Sequence, residues 1–339
     1  SKAARNHRLI RDTSALEQMR NVDVVVFDKT GTLTEGHPTV IGWLWAQGQE
    51  EHYKDVLLAA ESTSDHPLAE AIVTALEGEE QVIPAHLDGF ENITGKGVRV
   101  AYQGAEYWVG SHKLLKDYQA NLSDILADML TQYESDGNSI VYFGRENDLL
   151  AVIAIKDQLR VTSMEAIREL RIQDVEICML TGDGERTASS VAGSLGIMRF
   201  VADAMPDDKE DFIHKLQLQG KTVAMVGDGV NDARALSCAD VSIAMGKGTD
   251  TLMDTAMITL RTSDLLLLPK VFRLSRQTVS LMYRNLFWAF IYNTVGIFVA
   301  AGVLYPVYDI LLSPALAGAV MALSCVSVAL SSLRLSSRF

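Results

Sequence analysis

The chain has 339 residues, of which 48% are hydrophobic and 22% charged, and a formal net charge of -13 at pH 7. That length exceeds one compact core and predicts about two or three domains. The acidic balance argues against nucleic acid as a partner, because phosphate contacts need clustered Lys and Arg; on composition alone an acidic soluble body is the plain reading.

In chain order, residues 1–11 are charged and lack an apolar run, so they are not a signal peptide. The chain opens without Met, which hints at a further segment upstream. Residues 22–27 form a short β-branched run, the pattern of a buried strand, ending at Asp28. Similar runs recur at 149–155 before Asp157, 175–180 before Thr181 and 222–226 before Gly227, with helical patterns at 161–171, 185–195 and 209–218. Strands alternating with helices predict right-handed crossovers and a parallel sheet, whose ligand site gathers at the carboxyl ends of the strands. Between the first two runs lies an insertion, 38–147, too long for a loop. It carries helical patterns at 51–61, 67–76 and 122–135 and strand-like runs at 97–102 and 107–109, and reads as a separate α+β domain.

Residues 285–305 and 311–332 contain no Asp, Glu, Lys or Arg. Each is about long enough to cross a hydrocarbon core of about 30 Å, and a short turn at Pro306–Ile310 joins them. Lys270, Arg273, Arg276 and Arg284 precede this transmembrane hairpin and Arg334 and Arg338 follow it, which predicts that both ends are cytoplasmic. A buried helical pair in a soluble core is the alternative. Cys178, Cys238 and Cys325 are scattered too widely for a thiolate metal site or a disulfide framework, which fits a reducing, cytosolic setting for the soluble part.

Asp28-Lys29-Thr30-Gly31-Thr32-Leu33-Thr34 follows the first strand directly. A carboxylate there, cradled by a glycine-containing turn, can attack phosphorus while backbone N–H groups hold the phosphoryl oxygens. The position two after the nucleophile holds Thr30, where related phosphatases place a second Asp. A threonine hydroxyl cannot do general acid–base work near neutral pH, so an acyl phosphate on Asp28 is expected to persist. Gly227-Asp228-Gly229-Val230-Asn231-Asp232 follows the last strand. Its carboxylates, brought beside Asp28, make an oxygen-only pocket suited to Mg2+. Thr181-Gly182-Asp183 offers a hydroxyl to a phosphoryl oxygen, and Lys209 offers an ammonium against the charge of phosphoryl transfer. Taken singly, each of these last two is more often a cap or a surface group.

Together these segments resemble the carboxyl-terminal half of heavy-metal-transporting P-type ATPases, over residues 9–339. The resemblance implies a haloacid-dehalogenase-like, doubly wound parallel sheet with an inserted α+β nucleotide-binding domain and a C-terminal transmembrane hairpin. The implied partition is 1–37 and 148–263 for the phosphorylation domain, 38–147 for the nucleotide-binding domain and 264–339 for the membrane segment. Ser64-Asp65-His66-Pro67-Leu68 resembles the His-Pro signature of that class, and Gly95-Lys96-Gly97 its glycine pair. By that similarity His66 positions the adenine of ATP, Glu61 contacts it, and Gly95 and Gly97 let the backbone approach. Asp28, Thr30 and Asp228 would hold Mg2+, with Lys29, Thr181, Gly182, Asp183, Lys209, Asn231 and Asp232 completing the catalytic set.

In the hairpin, Tyr292 and Asn293, then Met321 and Ser324, resemble the metal site of the copper(I)-exporting branch, and a thioether suits a soft ion. Such residues also serve as interhelical glue. The expected activity is ATP-driven export of Cu(I) through an aspartyl phosphate, in a multi-pass protein of the bacterial inner membrane with cytoplasmic catalytic domains. Ag(I) and Zn(II) are alternative cargoes. The resemblance implies a missing amino-terminal half, with the actuator domain and earlier helices, and a metallochaperone as partner. A membrane-anchored phosphatase and a non-transporting pump remnant stay open. Three departures from the family pattern stand out. Arg234 replaces a proline and is expected to slow the site or alter its Mg2+ affinity; Cys325 adds a soft sulfur; and Ser111 replaces an asparagine in the nucleotide domain.

Overall fold

Val24–Asp28 is buried at every position, and its Val-Val-Val-Phe run suits a strand covered on both faces. It is the centre of the parallel sheet in a computed structural model that describes residues 8–10, 13–46, 50–79, 81–121, 124–228, 232–246, 256–260, 262 and 264–301. The chain divides into two units, Val22–Leu266 on one hand and Ser1–Asn21 with Leu267–Phe339 on the other.

Within Val22–Leu266 the parallel strands run in the order Ile258–Leu260, Val241–Met245, Val223–Gly227, Val24–Asp28, Glu176–Leu180, Arg199–Val201. The helices Ser163–Ile172, Glu185–Leu195 and Pro206–Leu218 fall where the periodicity predicts them, within three residues at each end. One expected strand of this sheet is corrected. The run 149–155 lies inside Asp148–Lys156, which pairs antiparallel with Thr39–Trp45 on one side and Ser139–Arg145 on the other.

That strand belongs to a second, six-stranded sheet, ordered Thr39–Trp45, Asp148–Lys156, Ser139–Arg145, Ala105–Gly110, Gly97–Tyr102, Gly89–Ile93. On one face Ile153 and Phe143 pack with Leu57, Ile72 and Leu76 from the helices Glu50–Glu61 and Pro67–Glu77. On the other face Val152, Tyr142 and Trp108 pack with Leu114 and Leu130 from His112–Asp117 and Asp124–Ser135. An antiparallel strand covered on both faces carries no polar alternation, so its sequence reads like a parallel one. The strands Gly97–Tyr102 and Ala105–Gly110 approach very closely at one end. A Cβ on Gly97 would stand 2.0 Å from the Val109 carbonyl oxygen, so no other residue fits there.

In the other unit, Thr13–Arg20 lies against the helix Leu267–Ala300. Ser275 donates its hydroxyl to the Leu16 carbonyl, and the Arg20 guanidinium sits 5.3 Å from the Tyr283 ring centroid. Among the described residues no helix is long and apolar enough to cross a membrane. Of the first expected span, 285–305, the described residues take in 285–301. Leu286, Phe287, Phe290 and Phe298 are exposed on it. The rest of the first expected span, and all of 311–332, lie outside the described residues.

Because Asp148–Lys156 fills the gap between two other strands, residues 38–147 produced alone should fail to fold, whereas 38–157 should give a dispersed amide spectrum. Equal folding of the two fragments would return this strand to the parallel sheet.

Candidate active site

Strand register alone gathers the motifs. Asp28 is opposite Leu180, and Phe27 is opposite Val226, so Thr181 and Asp228 follow on the two strands flanking the one that carries Asp28. Beyond Asp28 the chain makes a wide turn, Lys29–Leu33, interrupted by extended Thr30 and by Gly31 at φ 71°. A Cβ on Gly31 would lie 1.6 Å from Asp228 Oδ2, so the carboxylate stands directly on this glycine.

The turn is clamped from behind. Thr34 Oγ1 donates to Asp157 Oδ2 at 2.5 Å and accepts from Gly31 N–H at 3.0 Å, while Asp157 Oδ1 accepts from Gly36 N–H at 3.1 Å. Arg160 donates to the carbonyls of Thr32 at 2.9 Å and Gly31 at 2.5 Å, and Ser163 donates to that of Leu33 at 2.7 Å. With carbonyls held outward in this way, the shape of the turn is fixed before any ligand arrives.

Lys209 Nζ lies 2.5 Å from Asp28 Oδ1 and 2.7 Å from Asp232 Oδ1, and all three residues are buried. Burial acts to lower the ammonium's pKa, but the two carboxylates outweigh it and hold the lysine charged. Asp228 is pushed up to about 6, by burial first and then by the charge of Asp28. Asp232 is raised for the same two reasons. A second charge relay runs beside the first. Lys29 pairs with Asp183 and donates to Ser139 Oγ at 2.9 Å, and Thr181 Oγ1 donates to Asp183 Oδ2 at 2.8 Å. Burial would raise the Asp183 carboxyl, yet Lys29 keeps it below the usual range. Thr181 and Lys29 are thus engaged with Asp183 in this arrangement. Gly182 has open room, since a Cβ there would come no nearer than 3.7 Å to the Ala204 carbonyl.

From the inserted sheet, His66 caps the helix Pro67–Glu77, its Nδ1 accepting from Leu68 N–H at 3.2 Å. One side of the ring meets solvent. Crowding on the other lowers its pKa, against the pull of Asp183 and Asp28 and with that of Lys209 and Lys29. The His-Pro segment therefore stands within electrostatic reach of the strand-end cluster. Gly95 faces Met205 Cε, 2.9 Å from where its Cβ would be. Beside Gly97, the Ser111 hydroxyl is buried without a hydrogen-bond partner among the described residues. Glu61, at the end of Glu50–Glu61, is buried as well. Arg234, expected to disturb Asp232, is exposed and paired with Asp207 and Glu210, so its charge is taken up there. Tyr292 and Asn293 lie in the exposed half of Leu267–Ala300, while Asn231, Met321, Ser324 and Cys325 lie outside the described residues. Asp157, Arg160 and Ser139 were not singled out from sequence. An Asp or Arg just past a strand looks like any surface group until the turn it holds is seen.

A carboxylate at a strand end, an ammonium beside it and a glycine-cradled second carboxylate are groups that phosphoryl transfer can use. Residues 22–240 match the haloacid dehalogenase-like hydrolase family. A copper-exporting P-type ATPase of Legionella pneumophila is 42% identical over 334 residues, covering 98% of this chain and 45% of that protein. A silver exporting P-type ATPase of Salmonella typhimurium is 43% identical over 339 residues, 99% of this chain and 41% of its own. Among solved structures, a zinc-transporting PIB-type ATPase in the E2.Pi state superposes with a TM-score of 0.66 at 35% identity, over 98% of this chain and 53% of that one. The chain belongs to the heavy-metal-transporting P-type ATPases. It spans less than half the length of these curated relatives.

Burial alone pushes the Glu61 carboxyl up to about 8. Its folded pKa lies above the unfolded value of about 4.3, so between the two the native state keeps a proton that the unfolded chain has released. Stability should therefore fall as pH rises from about 5 to about 8, by at most about 4 kcal/mol. Glu61→Gln should flatten that slope in urea titrations, and an unchanged slope would assign the dependence elsewhere.

Proposed function

We propose that this chain is the ATP-using and metal-releasing half of a Cu(I) exporter, in which Asp28 takes the γ-phosphoryl group. The observation that carries the reading is the buried Lys209 ammonium held between Asp28 and Asp232 at the carboxyl edge of the parallel sheet. An Asp28 carboxylate oxygen forms the new bond to phosphorus as the bond to the ADP oxygen breaks. Lys209 offsets charge on the transferring group. Thr181 and Asn231 bind phosphoryl oxygens, Gly182 gives them room, and Lys29 with Asp183 keeps the floor of the site in place.

The donor set fits Mg2+. Asp28, Asp228 and Thr30 supply oxygen only, and the absence of a side chain on Gly31 is what allows Asp228 its position beside the nucleophile. Bound there, Mg2+ would offset the charge gathered by carboxylates and phosphate. For ATP, the partnerless Ser111 hydroxyl next to Gly97 offers a hydrogen bond, Gly95 and Gly97 leave the backbone open, and His66 with Glu61 frames the adenine. A neutral Glu61 can donate as well as accept a hydrogen bond.

The cargo follows from ligand softness. Tyr292, Asn293, Met321 and Ser324 offer a thioether and neutral oxygen or nitrogen donors with no carboxylate, which suits Cu(I), and by extension Ag(I), better than Zn(II). The names of the copper and silver exporting relatives support the same class. In this reading the apolar helices lie in a bilayer, the remaining half of the pump completes the pathway, and a metallochaperone delivers the ion.

With the remaining half supplied, radiolabelled ATP and Mg2+ should give an acid-stable, hydroxylamine-sensitive phosphoprotein whose amount rises with Cu(I) under reducing conditions. Asp28→Asn should abolish the label, and label that persisted would remove Asp28 from this role. A response to Zn(II) and not to Cu(I) would overturn the cargo alone. Thr30→Asp installs the missing acid–base group, so it should shorten the phosphoprotein lifetime by about 100-fold or more. An unchanged lifetime would show that Thr30 is not what preserves the acyl phosphate.

A further inference from the structure

We infer that Glu210, His214 and Cys238 form a binding site for a divalent cation of intermediate softness, of the Zn2+ or Co2+ kind, apart from the phosphoryl site and from the membrane. Glu210 and His214 sit one turn apart on Pro206–Leu218, and Cys238 ends the helix Ala233–Cys238. Cys238 Sγ is 3.5 Å and His214 Nε2 is 3.9 Å from Glu210 Oε1, and the three donor atoms all lie within 4.8 Å of one another. Tetrahedral bonds of about 2.0–2.3 Å place donors about 3.3–3.8 Å apart, so movements of about 1 Å close the set. Thiolate, imidazole and carboxylate together suit a borderline ion better than Mg2+ or Cu(I).

The surrounding hydrogen bonds present the imidazole and the carboxylate in the form a metal needs. Gln217 Nε2 donates to the Cys238 carbonyl at 2.9 Å, and a carbonyl can only accept. The amide oxygen of Gln217 must then face His214 Nδ1, 3.1 Å away, and that nitrogen must carry the proton. In the neutral ring this leaves the Nε2 lone pair free and turned toward Glu210 and Cys238, the arrangement that outer-shell partners impose on ligating histidines. Arg234 Nη2 holds Glu210 Oε2 at 2.7 Å, which leaves Oε1 for the metal, and the Arg234 charge is offset by Asp207. His214 is exposed, so the position is open to solvent, and three protein donors leave a place for water. On binding, sulfur bonds the metal as the Cys238 thiol proton leaves to solvent.

The site would couple two elements that matter. Glu210 directly follows Lys209, and the helix ending at Cys238 begins directly after Asp232. A cation here ties the helix that carries Lys209 to the helix that Asp232 immediately precedes, and those two residues are ion-paired. The proposal stands whether or not the chain is part of a pump.

The test is titration of the full chain with Co2+ alone, read by its thiolate charge-transfer absorption, and competition of that signal by Zn2+. One equivalent should develop the band, Zn2+ should abolish it and raise the melting temperature, and Asp28→Asn and Cys325→Ser should leave it unchanged. Cys238→Ser should remove the band, His214→Gln should weaken binding by at least about tenfold, and Gln217→Ala, which only positions the imidazole, by about tenfold. Melting temperatures without metal identify any variant that has lost its fold, in which case the exposed His214→Gln decides. A band that survives Cys238→Ser, binding indifferent to His214→Gln, absence of stoichiometric binding, or preference for Cu(I) would each overturn the site.

Discussion

Two carboxylates, Asp28 and Asp232, share one buried corner of the parallel sheet because the Lys209 ammonium stands between them. Buried charges of like sign repel by about 4 kcal/mol at 4 Å and an effective dielectric of about 20, and each also resists leaving water. A shared cation answers both costs, but only from the right place. That place is set by a helix start. Pro206 opens the helix, Asp208 Oδ2 accepts from Met205 N–H at 2.9 Å, and Ala204 N–H bonds the Thr181 carbonyl at 2.9 Å. The loop after one strand thereby aims the lysine at the end of its neighbour.

The inserted antiparallel sheet reaches the same corner through polar contacts. Lys29 is divided between Asp183 and Ser139, Lys113 Nζ donates to the Asp203 carbonyl at 2.5 Å, and Thr187 Oγ1 donates to that of Asn138 at 2.8 Å. Hydrogen bonds of this kind contribute about 1 kcal/mol each and exchange readily for water. Contacts of that kind resist relative movement less than a shared apolar core would. His66 shows the consequence, since its titration already feels the charges of the strand-end cluster.

Arg234 illustrates how the charge of a departure from a family pattern can be directed away from the site nearest to it in sequence. Its distance in sequence from Asp232 suggested interference with the cluster. In the folded chain its charge goes to Asp207 and Glu210, on the helix that carries Lys209. There it orients the carboxylate that faces His214 and Cys238.

Much of the candidate site was legible in sequence because it follows from strand ends. A buried apolar run fixes where a parallel strand stops, and the polar residues after it must then share one edge with their neighbours. Asp28, Thr181 and Asp228 could be grouped on that ground alone. Asp157, Arg160 and Ser139 could not, because a residue that holds a carbonyl of a distant turn carries no local signature. The run 149–155 was misassigned for a related reason: strand sequences report how fully a strand is covered, not which partners cover it. By itself, then, the sequence determined the strand that ends at Asp28, the acidic segment that follows Val223–Gly227 and most of the alternation of strands and helices, all of which are written in contiguous residues. Only the tertiary structure decided which sheet Asp148–Lys156 joins, what holds the Asp28 turn open and where the Arg234 charge is spent. Those outcomes depend on contacts between residues far apart in the chain, and it is packing, not local preference, that selects among them.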